Sequence, residues 1–225
     1  MSASALLAAL RQNPYFAHLS ESQLSALSRQ AVRQEFASGE IIFLEGEPSA
    51  GLWFLESGRV KAYKLSLDGQ EYILRLFGPG DTFNDLAALD QAPNAASTMA
   101  VTAVSAWILA ESVFAAALRD DHELALAIVR GLVGRVRELV GRTEDLALRP
   151  VTARLAHFLL AQVHDPTLAH PAVTRALIAS HLATTPESIS RSLRVLEEAG
   201  AIRFDRHRIL IVKPDILRQQ AQLQS

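Results

Sequence analysis

The stretch from Thr174 to Leu196 admits few folds. Thr174 predicts an N-cap, and Ala176, Leu177, Ile178 and Leu182 give a first short helix its buried side. Thr185 predicts the cap of a second helix whose first position is Pro186, where a missing N–H costs nothing. Ile189, Leu193 and Leu196 then recur at helical spacing and must face a core. Glu187, Ser190, Arg191 and Arg194 are left on the outer face. Two short helices joined by a tight turn, the second polar outside, make a helix-turn-helix pattern.

Such a face suits the edge of a DNA groove. Arg191 can donate two hydrogen bonds to guanine O6 and N7, Glu187 can accept from cytosine N4, and Ser190 can touch a base edge or a thymine methyl. A good pair is worth about 1–3 kcal/mol of discrimination. Thr174, Thr185, Arg194, Arg206, His207 and Arg208 are candidates for contacts to the DNA backbone. The competing reading is a solvated helix face on which Glu187 and Arg191 pair at i,i+4. The net charge of −2 speaks against a nucleic-acid partner until the chain is divided. Residues 151–225 hold nine Lys/Arg against six Asp/Glu, a balance of +3, while residues 1–150 hold thirteen against eighteen, a balance of −5. The basic excess travels with the helix pair, although it is small.

The same residues carry a resemblance. The segment is similar to the DNA-binding helices of the CRP/FNR superfamily of transcription regulators, whose pattern runs T-R-x-x-[IL]-A-x-x-L-x-x-[TS]-x-E-[ST]-[VI]-[SG]-R-x-[LF]. Glu187, Ser190 and Arg191 match the Glu-x-x-Ser-Arg version of the FNR/DNR/FixK branch. The CRP branch usually has Gly at the place of Ser190 and Arg at that of Pro186. The resemblance implies a dimer on an inverted repeat of TTGAT-like half-sites one helical turn apart, and recruitment of RNA polymerase as an activator.

The rest of the chain falls into three textures. Residues 5–34 read as helical, with Ser20 capping a helix from Gln23 to Gln34. From Phe36 to Ala110, short apolar runs alternate with turn signals, and the strand candidates are Ile41–Leu44, Leu52–Ser57, Val60–Leu67, Glu71–Phe77 and Thr98–Ala110. Asp68-Gly69 between two alternating runs predicts a hairpin. Many short strands at this spacing suggest a β-sandwich or barrel. The order Gly39, Gly46, Gly58, Gly69, Gly78-Pro79-Gly80-Asp81 resembles the cyclic-nucleotide-binding jelly roll of the same superfamily.

After Glu111 the period turns helical. Glu111–Arg119 predicts one helix and Asp120–Leu146 a longer one. Leu124, Ile128, Leu132, Val136, Leu139 and Thr143 form a stripe of coiled-coil type, with Arg130, Arg135, Arg137, Glu138 and Arg142 off it. The stripe could pack on its own barrel, but the resemblance makes this helix the dimer interface, and close approach across the dimer axis would explain Gly131 and Gly134. Arg149-Pro150 marks a boundary, after which come a helix Val151–Val163, a loop His164–Ala172, the helix pair, a wing of Ala201–Phe204 and Arg208–Val212, and a terminal helix Asp215–Leu223. The expected architecture is α+β: a jelly-roll sensor (1–119), a dimerisation helix (120–148) and a winged helix-turn-helix (149–225).

The signal is harder to read than the output. In cyclic-nucleotide binders of this fold, a Gly-Glu-Leu segment binds the ribose and a following Arg-Ser/Thr clamps the phosphate. The matching residues are Phe83, Asn84, Asp85 and Leu86, then Ser97 and Thr98, so Asn84 replaces the Gly, Asp85 the Glu, and the Arg is missing. A phosphodiester beside Asp85 would leave a charge unpaired, which argues against cyclic AMP. With no cysteine there is no thiolate zinc site and no Cys-ligated iron–sulfur cluster, the group that oxygen-sensing members of the FNR branch carry. Haem, which the nitric-oxide regulators of the DNR type are thought to use, would need Met99, a Tyr, His18, His122 or His181 as ligand. A small molecule, a diatomic gas and a vestigial pocket all stay open as the control. A cupin-type metalloenzyme, the alternative of another class, needs two or three histidines on adjacent strands, and the strand region holds none. No apolar run reaches transmembrane length, and Met1 to Leu10 lacks the basic start of a signal peptide, so a cytoplasmic protein is expected, without a metal.

Overall fold

The computed structural model describes residues 3–164, 173–205 and 209–222. In chain order the elements are α1 (Ala3–Gln12), α2 (Glu21–Gln30), β1 (Val32–Phe36), β2 (Ile41–Phe43), β3 (Gly51–Ser57), β4 (Val60–Leu65), β5 (Glu71–Phe77), β6 (Thr82–Phe83), α3 (Asp85–Asp90), β7 (Ser97–Ala100) and β8 (Val104–Ala110). Then follow α4 (Glu111–Asp120), α5 (His122–Leu148), α6 (Val151–His164), α7 (Arg175–His181), α8 (Pro186–Glu198), β9 (Ile202–Phe204), β10 (Ile209–Ile211) and α9 (Pro214–Ala221).

Two four-stranded sheets, β1-β8-β3-β6 and β2-β7-β4-β5, form the jelly roll. β3 is buried along Gly51–Leu55 because it lies between β8 and β6 in the first sheet, with a helix layer on one side and the barrel interior on the other. Its inward residues Trp53 and Leu55 join Val60, Phe77, Phe83, Val104 and Ala106 in the barrel core, while Leu52 and Phe54 meet the helices. The Ser66–Gln70 turn closes the β4–β5 hairpin as the Asp68-Gly69 pair predicts, with the Gln70 carbonyl accepting from Ser66 N at 2.9 Å.

Several boundaries differ from the sequence expectation. Ser20 does cap α2 through a reciprocal pair with Gln23, but the helix ends at Gln30 and Val32–Phe36 is a strand. The antiparallel register Val32↔Ile108 to Phe36↔Val104 supplies backbone partners that outweigh local helical spacing. The run Thr98–Ala110 breaks into β7 and β8, which belong to different sheets. β6 and α3 had no sequence signal of strand or helix.

The chain forms two compact units, Met1–Lys64 with Leu76–Arg137, and Leu65–Arg75 with Glu138–Ser225. This division differs from the expected three segments, because α5 is shared between the units. Leu124 and Ile128 are buried in the core that α1, α2 and α4 build on the first sheet, and Leu132 packs against it. These three therefore face the chain's own barrel and not an open seam. Beyond them the stripe is uncovered: Val136 is 60% and Leu139 57% exposed, and a neighbouring line of Val129, Val133 and Val140 is exposed too. Gly131 also has another reason than a dimer axis. A Cβ there would collide with Cε1 of Tyr15, whereas a Cβ at Gly134 would meet nothing within 4 Å.

In the second unit, α6, α7, α8, β9 and α9 enclose a core of Leu155, Phe158, Leu159, Ile178, Ile189, Leu193, Leu196, Ile202 and Leu217. β9 and β10 pair antiparallel as the wing. The loop expected at His164–Ala172 lies almost wholly outside the described residues.

Candidate nucleic-acid interface

The helix pair is built as its residues require. Thr174 Oγ1 accepts from Leu177 N at 3.3 Å and starts α7; Thr185 Oγ1 accepts from Ser188 N at 3.2 Å and starts α8, with Pro186 in the first turn. The turn between them places Ala183 at φ +49°, and Thr184 N closes it onto the Ala179 carbonyl at 3.0 Å. Ile189, Leu193 and Leu196 are fully buried. Of the residues expected on the buried side of α7, Ile178 is buried, Leu177 and Leu182 are half-buried and Ala176 is exposed, while Ala179 is buried as well. Thr152 Oγ1 donates to Ser192 Oγ at 3.1 Å, which ties α6 to the inner side of α8.

The outer edge of α8 carries the expected polar set. Glu187, Arg191 and Arg194 are exposed and Ser190 is half-buried. Glu187 sits below the usual carboxylate range because its own backbone N–H and the Thr185 hydroxyl donate to it, with Arg191 adding a smaller attraction. It therefore stays an acceptor-only group. Arg191 donates to Ser188 Oγ at 3.1 Å, which leaves most of its fork open. Ser190 returns its hydroxyl proton to the Pro186 carbonyl at 2.9 Å and keeps its oxygen as an acceptor. At the wing, Arg175 donates to the Asp205 carbonyl at 2.5 Å and lies 5.2 Å from the Phe204 ring centroid, so it braces β9 against α7. Arg206, His207 and Arg208 lie outside the described residues.

His181, at the end of α7, is a structural histidine in its surroundings. Its ring lies 5.4 Å from that of Phe158, its carbonyl accepts from Arg142 at 3.2 Å, and its Nδ1 is buried without a hydrogen-bond partner. Burial and the Arg142 charge push its pKa down to about 4, against a smaller opposing pull from the Ile73 carbonyl. Arg142 itself reaches the Leu74 and Ile73 carbonyls of β5 and the Tyr72 hydroxyl.

The barrel residues expected to line an effector pocket scatter in their roles. Phe83 stacks on Trp53 at 5.7 Å and contacts Phe43 and Phe77 in the barrel core. Asn84, at φ +63°, donates to Asn94 Oδ1 at 3.0 Å, and Ser97 Oγ accepts from Glu45 N at 3.0 Å. Thr98 is buried in β7 and Leu86 is exposed. Asp85 is buried, and its Oδ2 takes both the Arg135 guanidinium and, at 3.1 Å, the Tyr15 hydroxyl. Sequence reasoning missed Arg135 and Tyr15 as partners of Asp85. Of the haem-ligand candidates, His18 and His122 are exposed, and Met99 is half-buried in β7 opposite Ile41 and Lys61. Among the described residues no group of three His, Cys, Asp or Glu could hold a metal ion, and no helix is long and apolar enough to cross a membrane.

Two families of known proteins match the chain. The cyclic nucleotide-binding domain family matches residues 33–121, and the Crp-like helix-turn-helix domain family matches residues 153–220. A "CRP-like cAMP-activated global transcriptional regulator" of Mycobacterium tuberculosis is 27% identical over 213 residues, 92% of this chain and 95% of that one. The structure of FixK2 from Bradyrhizobium japonicum superposes with a TM-score of 0.76 at 25% identity, covering 86% of this chain and 98% of that one. The sensor domain of the regulator DNR from Pseudomonas aeruginosa gives a TM-score of 0.56 at 28% identity over 62% of this chain and 93% of that one. With a cyclic-nucleotide-binding jelly roll, a long helix and a Crp-like helix-turn-helix in this order, the chain belongs to the CRP/FNR family of transcription regulators.

Proposed function

We propose that the chain works as a homodimer that reads an inverted repeat of TTGAT-like half-sites in double-stranded DNA and activates transcription by recruiting RNA polymerase. The observation that carries this reading is the two-sidedness of α8. Ile189, Leu193 and Leu196 are wholly buried, while Glu187, Ser190, Arg191 and Arg194 line the opposite edge. Glu187 and Arg191 read cytosine and guanine, Ser190 a neighbouring base, and Thr174, Thr185 and Arg194 hold phosphates, with Arg206, His207 and Arg208 of the wing as further phosphate donors. The Glu-x-x-Ser-Arg set favours the FNR/DNR/FixK-like branch, and the likeness to FixK2 and DNR supports that placement.

The homodimer rests on α5. Val129, Val133, Val136 and Val140 follow one another at steps of four, three and four residues and are all exposed. Such a stripe is the seam of a two-helix coiled coil. Its alternating steps of four and three are those of the a and d positions of a heptad repeat.

The control of this protein differs from that of its cyclic AMP-activated relative in M. tuberculosis. The phosphate-clamping Arg is missing before Ser97, and Asp85 is already paired. Selection of duplexes from a random pool by the purified protein, followed by footprinting, tests the reading. An enriched inverted repeat with TTGAT-like halves is expected, and a pool without enrichment would reject the reading.

A further inference from the structure

A carboxylate buried to 3% exposure is costly unless both its oxygens are satisfied, and Asp85 meets that condition wholly inside the chain. Oδ1 accepts from Leu86 N at 3.1 Å; Oδ2 takes Arg135 and the Tyr15 hydroxyl. Arg135 comes from α5, Tyr15 from the segment after α1, and Asp85 from the start of α3. The other guanidinium nitrogen of Arg135 lies 3.4 Å from the Thr82 carbonyl, and the guanidinium carbon is 5.9 Å from the Tyr15 ring centroid. Gly131, one helical turn before Arg135, opens the notch that the Tyr15 ring fills. Four residues from three separate segments thus converge on one charge.

We propose that Tyr15, Asp85, Gly131 and Arg135 form a built-in latch that seats the first half of α5 on the barrel, so that the DNA-competent state does not wait for a cyclic nucleotide. Arg135 is the tethered cation that occupies the carboxylate, and the Gly131 notch fixes which turn of α5 faces it. The barrel interior beside the latch is packed with the rings of Phe43, Trp53, Phe77 and Phe83, each contact between 5.5 and 6.3 Å centroid to centroid. A hydroxyl-bearing ligand would have to displace Arg135 from a buried partner without bringing a positive charge of its own. That exchange is unfavourable. The latch rests on the proposed DNA-binding reading and deepens it by naming what holds the reader ready.

The test uses the full-length protein and the duplex it selects. Wild-type affinity is expected to be the same with no nucleotide and with millimolar cyclic AMP or cyclic GMP. Arg135→Ala should lose about ten-fold in affinity at a temperature well below its melting point, with the far-UV spectrum unchanged, which is the scale of a coupling between sites. Arg29→Ala, an exposed arginine on α2, should bind like wild type. Tyr15→Phe removes only one hydrogen bond and serves if Arg135→Ala does not fold; it should weaken affinity in the same direction. A merely structural ion pair would lower the melting temperature and leave affinity unchanged, and that outcome overturns the latch. So would a wild type that binds only with a cyclic nucleotide. If the wild type enriches no sequence, the DNA-binding reading falls and the latch with it; if it does and Arg135→Ala matches it, the latch alone falls.

Discussion

Arg191 and Arg194 are exposed on the outer edge of α8, whereas Arg135 and Arg142 end on acceptors inside the chain. All four are arginines on helices, and nothing in composition or spacing separates an exposed arginine from an internal clamp. The polar outer face of α8 was legible because Ile189, Leu193 and Leu196 determine what their helix must hide. The partners of Asp85 were not, because an ion pair between residues 50 apart leaves no local pattern. Arg191→Ala should cost about 1–3 kcal/mol on the selected duplex and relax preference at one guanine step, measured by competition against single-base variants. An equal loss on every sequence would make Arg191 a phosphate contact. His181 gives a pH prediction. Its pKa of about 4 in the folded chain lies below the ordinary value of 6.5, so the unfolded chain binds the extra proton first as pH falls. Its contribution is full above pH 6.5 and is lost between there and pH 4, by roughly 3 kcal/mol at most. In urea melts, His181→Phe should flatten that part of the pH profile; an unchanged profile would place the acid sensitivity elsewhere.

Helix α5 shows how one element can carry two instructions. A stripe at steps of four and three residues was readable in the sequence, but periodicity does not say what covers it. Leu124 and Ile128 are covered by the chain's own barrel; Val136 and Leu139 are not. The two glycines at 131 and 134 read alike and behave differently. Gly134→Ala should stabilise the protein by up to about 1 kcal/mol, since Ala is the better helix former and the space is open. Gly131→Ala should destabilise it by about 1–3 kcal/mol, because the added methyl must push the Tyr15 ring aside. Thermal melts of the two variants decide between them, and a shift of the same sign in both would refute the notch. Strand β1 was misread for a related reason. Its five residues have no strong pattern and are strand because β8 lies beside them.

At the scale of the whole molecule, the order of parts was legible: glycine-punctuated strands, a long apolar-striped helix, then the helix pair. The last of the three points at which the chain passes between the two compact units was not, since it falls inside α5 with no Pro or Gly at Arg137-Glu138. Val136→Asp places a charge in the open stripe and should shift the protein from dimer to monomer in sedimentation, with a loss of affinity for the two-half-site duplex far larger than for a single half-site. A variant that stays dimeric would move the interface off this helix face.

Because α5 runs unbroken from His122 to Leu148, the residues Arg135 and Arg142 stand on one continuous thread. Each inserted residue turns everything after it by about 100° around the axis, whereas seven restore the face to within roughly 20°. The chain therefore keeps count along this stretch. Drift in length should be written there in whole heptads or not at all.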